Sequence, residues 1–190
     1  MKPQERVDFV KNYSKFISDT VKGSGIFAGT LIAQAILESS GKYKTNNKWL
    51  VGGSKLSQEA NNFFGIKATT SWKGDVYNIS TGEYTPSGSY YTIKDNFRKY
   101  NSVEDSIKDY INFLKTNPRY KKAGVFEAKT VKEQAEKLQK AGYATAPDYA
   151  DIVNEVYKSV SKYITENKTI IGGSTFLTIL SIFLIYKYFK

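Results

Sequence analysis

The sequence predicts a mainly α (α+β) protein: a helical body with a small β-hairpin lobe, followed by a C-terminal transmembrane helix. Three observations predict it. Apolar residues recur at helical period through most of residues 3–164. Only two short β-prone runs interrupt them, Val76–Thr81 and Tyr90–Phe97, separated by the turn-rich stretch Gly82–Ser89. Finally, Thr169–Tyr186 is 18 residues without a charge, about 27 Å as a helix and long enough to meet a bilayer core. A chain of 190 residues has room for one domain with a real core and a short appendage. We place the domain in residues 1–165 and the membrane helix in residues 169–189.

The first helix occupies Pro3–Gly23. Pro3 suits a helix start, Val7, Val10, Phe16, Ile17 and Val21 give it a core-facing set, and Gly23-Ser24-Gly25 ends it. Its amphipathic pattern is not that of a secretory signal. A second helix, Ile26–Gly41, is apolar on nearly every side and reads as buried, with Gly41 as its stop signal. The polar stretch after it, with Gly52-Gly53 as a flexible point and a short helix at Ser57–Asn62, is long for a connection. Trp49, Phe63, Phe64 and Trp72 argue that it is ordered and forms a cleft wall. Helices resume at Ser102–Lys115, with Ser102 and Asp105 as a capping pair, at Thr130–Ala141, closed by Gly142, and at Pro147–Ile164. Glu166-Asn167-Lys168 forms a polar joint to the tail, whose apolar residues lie all round the helix and whose Tyr186, Tyr188 and Phe189 suit a membrane interface.

Composition narrows the chemistry. There is no Cys and no His, which removes thiol nucleophiles, Ser-His-Asp triads and the usual zinc sites, and leaves carboxylates and tyrosines to carry catalysis. Glycosidic chemistry runs on carboxyl groups and is the natural enzymatic option. The net charge of +10 falls only to +8 when Lys187 and Lys190 are set aside, so the folded part is itself basic and suits an anionic wall, membrane or nucleic acid. The lysines are scattered and no nucleic-acid module is recognisable, so no nucleic-acid partner is expected. Fifteen Tyr and eleven Phe permit a saccharide cleft, since aromatic faces stack on sugar rings as well as filling cores.

Within the second helix, Thr30, Gln34 and Glu38 stand at i, i+4 and i+8 and form one polar stripe on an apolar cylinder. Glu38 falls in the last turn, where the helix dipole disfavours an anion and apolar neighbours disfavour any charge. Both raise its pKa, as a general acid requires. A solvated last-turn glutamate is the plain alternative.

Five stretches in order, AQAILESSGKY, NNFFGIK, SWKGDVYNISTGEYTPSG, FRKYNSVEDSIKDYINFL and LQKAGYATAPDYADIVNEVY, resemble the bacterial glucosaminidases, glycoside hydrolase family 73, over roughly residues 5–160. The resemblance implies a lysozyme-like fold with a β lobe, acting on peptidoglycan at N-acetylglucosaminyl linkages without metal or organic cofactor. It implies that Glu38 is the general acid and, through Thr81-Gly82-Glu83, that Glu83 is the base. Glu59, Asp75 and Asp95 are competitors for that role, and substrate-assisted hydrolysis stays open. Tyr143 and Tyr149 match tyrosines near the family's cleft, one of which positions substrate or stabilises charge, and Tyr149 is taken with the catalytic set. Gln34, Asn62, Phe64 and Gly65 would line the cleft, with Trp72 on its rim. Phe63 stands where members of the family often have Leu.

The expected function is therefore an endo-β-N-acetylglucosaminidase, a bacteriophage lysis enzyme or a tail-anchored autolysin, single-pass in the membrane and acting on the wall. The alternatives are a lytic transglycosylase and a non-catalytic wall-binding or virion protein on the same fold.

Overall fold

The computed structural model describes residues 3–84 and 90–172. Its elements are α1 (Pro3–Thr20), α2 (Ala28–Ser39), α3 (Lys55–Ala60), β1 (Val76–Tyr84), β2 (Tyr90–Arg98), α4 (Val103–Thr116), α5 (Pro118–Lys122), a 3₁₀ turn at Val125–Glu127, α6 (Val131–Lys140) and α7 (Tyr149–Gly172). The protein is mainly helical with a two-stranded sheet, consistent with the lysozyme-like body that the resemblance implies.

Helix α2 is the axis of the body. Leu31, Ile32, Ala33, Ala35 and Ile36 are fully buried, because a helix apolar on nearly every side needs neighbours all round it. It packs against α1, α6 and α7. From α1 come Val10, Ile17 and Val21, and from α7 Val153, Val156, Val160 and Ile164. Gly29 sets the approach of α7, since a Cβ there would stand 2.5 Å from the Tyr157 ring. No side chain of its own N-cap residue, Phe27, closes the start of α2. Gln134 of α6 does this instead: its Oε1 accepts from the Phe27 N–H at 2.9 Å, while its Nε2 donates to the carbonyls of Gly25 and Val125. A buried amide thus satisfies three backbone groups that the chain reversal would leave unpaired.

The C-terminal end of α2 is stitched to the following loop. Gly41 pairs with Leu50 in an isolated antiparallel bridge, Ser54 N–H donates to the Ser39 carbonyl at 2.9 Å, and Ser39 Oγ accepts from the Gly52 N–H at 3.0 Å. Gly41 therefore does more than stop a helix. Two backbones cross at it, and a Cβ would lie 2.6 Å from Ser54 Cα. Further on, Phe63 and Phe64 are buried, whereas Trp49 is 51% exposed.

Asn62 folds the next turn: its Oδ1 accepts from the Ile66 N–H, and its Nδ2 donates to the carbonyls of Ile66 and Arg98. That brings the chain alongside β2, where Arg98 N–H donates to the Ile66 carbonyl and Ala68 N–H to the Asn96 carbonyl. Gly65 occupies the left-handed region of the turn with φ +64°.

The hairpin is longer than its composition suggests. The ladder runs from Val76↔Arg98 to Tyr84↔Tyr90, so Gly82, Glu83 and Tyr84 are strand residues and Glu83 stands opposite Tyr91. Turn-type composition gave way to pairing with the β-prone Tyr90-Tyr91-Thr92 on the other strand.

The Ser102 cap is as expected, accepting from the Asp105 N–H at 3.1 Å, and Thr130 caps α6 in the same way through Glu133. Pro147 and Asp148 form the turn that precedes α7. α7 then runs unbroken through Glu166–Lys168, where the sequence suggests a joint. No Gly or Pro occurs between Tyr149 and Ile171, so nothing local ends the helix. Most of the transmembrane expectation, from residue 173 onward, lies outside the described residues, and among those described no helix is long and apolar enough to cross a membrane.

Gly41→Ala is expected to destabilise the fold by about 1–3 kcal/mol, the usual cost of overpacking. Chemical denaturation measures it, and an unchanged midpoint would contradict the tight crossing.

Candidate active site

Glu38 ends the polar stripe of α2. Its carboxyl is half-buried, and Oε1 accepts from the Tyr149 hydroxyl at 3.2 Å. One turn earlier Gln34, 1% exposed, donates from Nε2 to the Tyr149 oxygen at 2.9 Å and accepts on Oε1 from the Tyr110 hydroxyl at 2.7 Å. The stripe is thus the spine of a hydrogen-bonded chain running Tyr110, Gln34, Tyr149, Glu38. Thr30, at its far end, is buried with its hydroxyl unpartnered.

Aromatic packing holds this chain in place. Phe64 stacks on Tyr110 at 4.1 Å between ring centres and 3° between planes. Tyr143 stands edge-on to Tyr110 at 5.8 Å, lies 5.8 Å from Tyr149, and donates its hydroxyl to the Phe64 carbonyl at 3.0 Å. Five parts of the chain meet here: α2, the turn after α3, α4, the segment before α7 and the start of α7.

Burial pushes the Glu38 carboxyl above the ordinary carboxylate range, and the Tyr149 hydrogen bond pulls it back in part. Burial also pushes Tyr110, Tyr143 and Tyr149 up. These phenols therefore stay neutral and serve as hydrogen-bond donors. The arrangement is a carboxylic acid in an apolar aromatic wall with one directed donor on one of its oxygens.

The structure brings Glu38, Gln34, Tyr149, Tyr143 and Phe64 together, with Gly65 next in the chain. Asn62 is not free to meet a ligand, because both ends of its amide are used to fold the turn. Trp72 belongs to a neighbouring cluster. Its indole N–H donates to the Asp75 carbonyl, and the Arg98 guanidinium lies 4.6 Å from its ring centre. Arg98 in turn pairs with Asp109 at 2.7 Å. Glu83 is placed by its backbone on β1. Of its competitors, Glu59 is engaged by Lys44 and Tyr43, and Asp95 pairs with Lys67 at 2.6 Å. Their hydrogen-bonded lysines hold both carboxyls below the ordinary range. Asp75 contributes its carbonyl to Trp72 and Lys99.

Sequence reasoning missed Tyr110. It shares the buried face of α4 with Ile107, Ile111 and Leu114 and reads as a core aromatic. The only signal was its place within one of the five motif stretches.

Among the described residues no group of three acidic side chains converges as a metal site would require. A cavity of about 530 Å³ lies between α1, α3 and the 50–52 loop. None of the nine expected site residues lines it.

Residues 14–162 match the model of a glucosaminidase family described as mannosyl-glycoprotein endo-beta-N-acetylglucosaminidase. The chain is 41% identical over 131 residues to the peptidoglycan hydrolase FlgJ of Salmonella typhimurium, covering 67% of this chain and 37% of that protein. It is 38% identical over 135 residues to the exo-glucosaminidase LytG of Bacillus subtilis, covering 70% of this chain and 42% of that one. The chain therefore spans about two fifths of the length of these relatives. Among solved structures, the catalytic domain of the autolysin Auto from Listeria monocytogenes superposes with a TM-score of 0.66 at 31% identity, over 87% of this chain and 89% of that one.

Because Glu38 holds its proton more tightly folded than unfolded, its contribution to stability is present at low pH. It is lost as pH rises from the ordinary carboxylate pKa to the folded one. Glu38→Gln is therefore expected to melt above the parent at neutral pH, the gain shrinking as pH falls from the raised folded pKa to the ordinary carboxylate value. Thermal melts across pH test this, and a variant less stable than the parent at pH 7 would contradict the burial argument.

Proposed function

The chain belongs to the glucosaminidase family, glycoside hydrolase family 73, and from that premise we propose that it is a peptidoglycan hydrolase, an endo-β-N-acetylglucosaminidase that cuts glycan strands by acid/base catalysis. The observation that carries this reading is the half-buried Glu38 carboxyl, raised by burial and held through Oε1 by Tyr149 at 3.2 Å. In its protonated form Glu38 gives its proton to the glycosidic oxygen as the bond to the anomeric carbon breaks. Tyr149 steadies the carboxylate that forms. Glu83, on β1, is assigned as the base that takes a proton from the attacking water. Tyr143, Phe64 and Gly65 belong to the wall on which the sugar ring rests, Trp72 stands at its rim, and Gln34 and Asn62 act by holding that wall in shape.

Glu38→Gln is expected to lower cleavage of purified peptidoglycan by about 10²–10⁴, and Glu83→Gln to impair it as well. Wild-type turnover by a folded Glu38→Gln protein ends the acid assignment. A crippling Asp75→Asn beside a silent Glu83→Gln moves the base to Asp75. The product decides the reaction type: a new N-acetylglucosamine reducing end marks hydrolysis, and an anhydro sugar marks transglycosylation.

For residues 169–189 we propose a single membrane-spanning helix that tethers the enzyme near the wall, as in a bacteriophage lysis enzyme or a membrane-anchored autolysin. What supports this is the uncharged run of 18 residues flanked by Lys168 and Lys187. A chain ending at Asn167 should be soluble, folded and active on isolated wall, while the full chain should require detergent. A full chain that is monomeric in plain buffer contradicts the membrane helix.

A further inference from the structure

Resting on the reading of Glu38 as general acid, we propose that Gln34 and Tyr110 are positioning residues: together they make Tyr149 a one-way donor to Glu38 Oε1 and so reserve Oε2 for the proton delivered to the substrate.

The argument is a count of hydrogens. A phenol has one hydrogen to give, an amide oxygen only accepts, and an amide nitrogen only donates. Tyr110 gives its hydrogen to Gln34 Oε1 at 2.7 Å. That orients the amide and turns Nε2 toward Tyr149, whose oxygen accepts at 2.9 Å. With its oxygen engaged as an acceptor, Tyr149 sends its only hydrogen to Glu38 Oε1 at 3.2 Å. A reversed amide would set Gln34 Oε1 and Glu38 Oε1 to compete for that one hydrogen, leaving a buried acceptor unpaired. The rings cannot easily turn to escape, because Phe64 lies flat on Tyr110 at 4.1 Å and Tyr143 abuts both tyrosines.

This polarity matters during proton transfer. In the neutral acid Oε1 is the carbonyl oxygen and accepts from Tyr149, while the acidic hydrogen sits on Oε2. As that hydrogen leaves, negative charge develops on the carboxylate and the bond from Tyr149 strengthens, since charged acceptors bind more tightly than neutral ones. An interaction stronger in the transition state than in the ground state lowers the barrier. Among the described residues, the titratable groups that couple to Glu38 are the phenols Tyr110 on α4, Tyr143 before α7 and Tyr149 on α7.

The test follows the basic limb of kcat on peptidoglycan against pH, using full-length protein, with the Glu38 carboxyl titrated in parallel by carbon NMR so that the result does not depend on turnover. Tyr149→Phe removes a bond to the carboxylate and should move both limb and titration up by about one pH unit. Tyr110→Phe keeps the ring and its stack but releases the amide, and Gln34→Glu places an acceptor where a donor stood. Both should shift the titration upward, and Tyr110→Phe should add nothing in a Tyr149→Phe background. A Tyr110→Phe protein with lower stability and an unmoved titration overturns the proposal, as does an equal shift in both backgrounds. Full activity of Glu38→Gln would instead overturn the acid assignment on which it rests.

Discussion

The structure depends on one constraint: α2 is apolar on nearly every side yet carries a polar stripe that ends in a carboxyl group. Burying such a helix requires a ring of neighbours, which α1, α6 and α7 supply. Burying the carboxyl requires polar partners within that apolar shell, because an unpaired polar group there costs about as much as several methylenes contribute. The phenols and the amide meet this need. They are large enough to belong to the wall and polar enough to satisfy one another, so the same residues close the core and prepare the acid.

Both ends of α2 are held by groups remote in sequence. Gln134 clamps the start and the Ser39–Ser54 stitching clamps the finish. The second clamp lies one residue beyond Glu38. A carboxyl in a last helical turn would ordinarily share the fraying of that turn; here the turn is pinned by backbone hydrogen bonds to the 50–54 segment, and Glu38 is held against Tyr149 as a result.

Much of this was legible in the sequence. The i, i+4, i+8 spacing of Thr30, Gln34 and Glu38 was enough to place a polar stripe on a buried helix, and the Ser102 cap followed from residue type alone. What was not legible required contacts between distant positions. Gln34 reads as a cleft residue until Tyr110 and Tyr149 are seen to occupy both ends of its amide. Asn62 likewise reads as a ligand contact until its three bonds to backbone are counted. Glu83 reads as a turn residue because Gly and Pro near it signal turns, while strand pairing is decided by the residues opposite. α5 and the 3₁₀ turn were missed because five or three residues are too few to show a period.

The continuity of α7 bears on aim. Tyr149, the donor to Glu38, is the first of its 24 residues, a rod of about 36 Å at the usual rise. Val153, Val156, Val160 and Ile164 anchor that rod to the body. A helix anchored at successive turns cannot swing at its start, so the Tyr149 hydroxyl is aimed by packing well down the rod. Substitutions two or three turns along α7 can therefore misaim the donor to Glu38 without touching it.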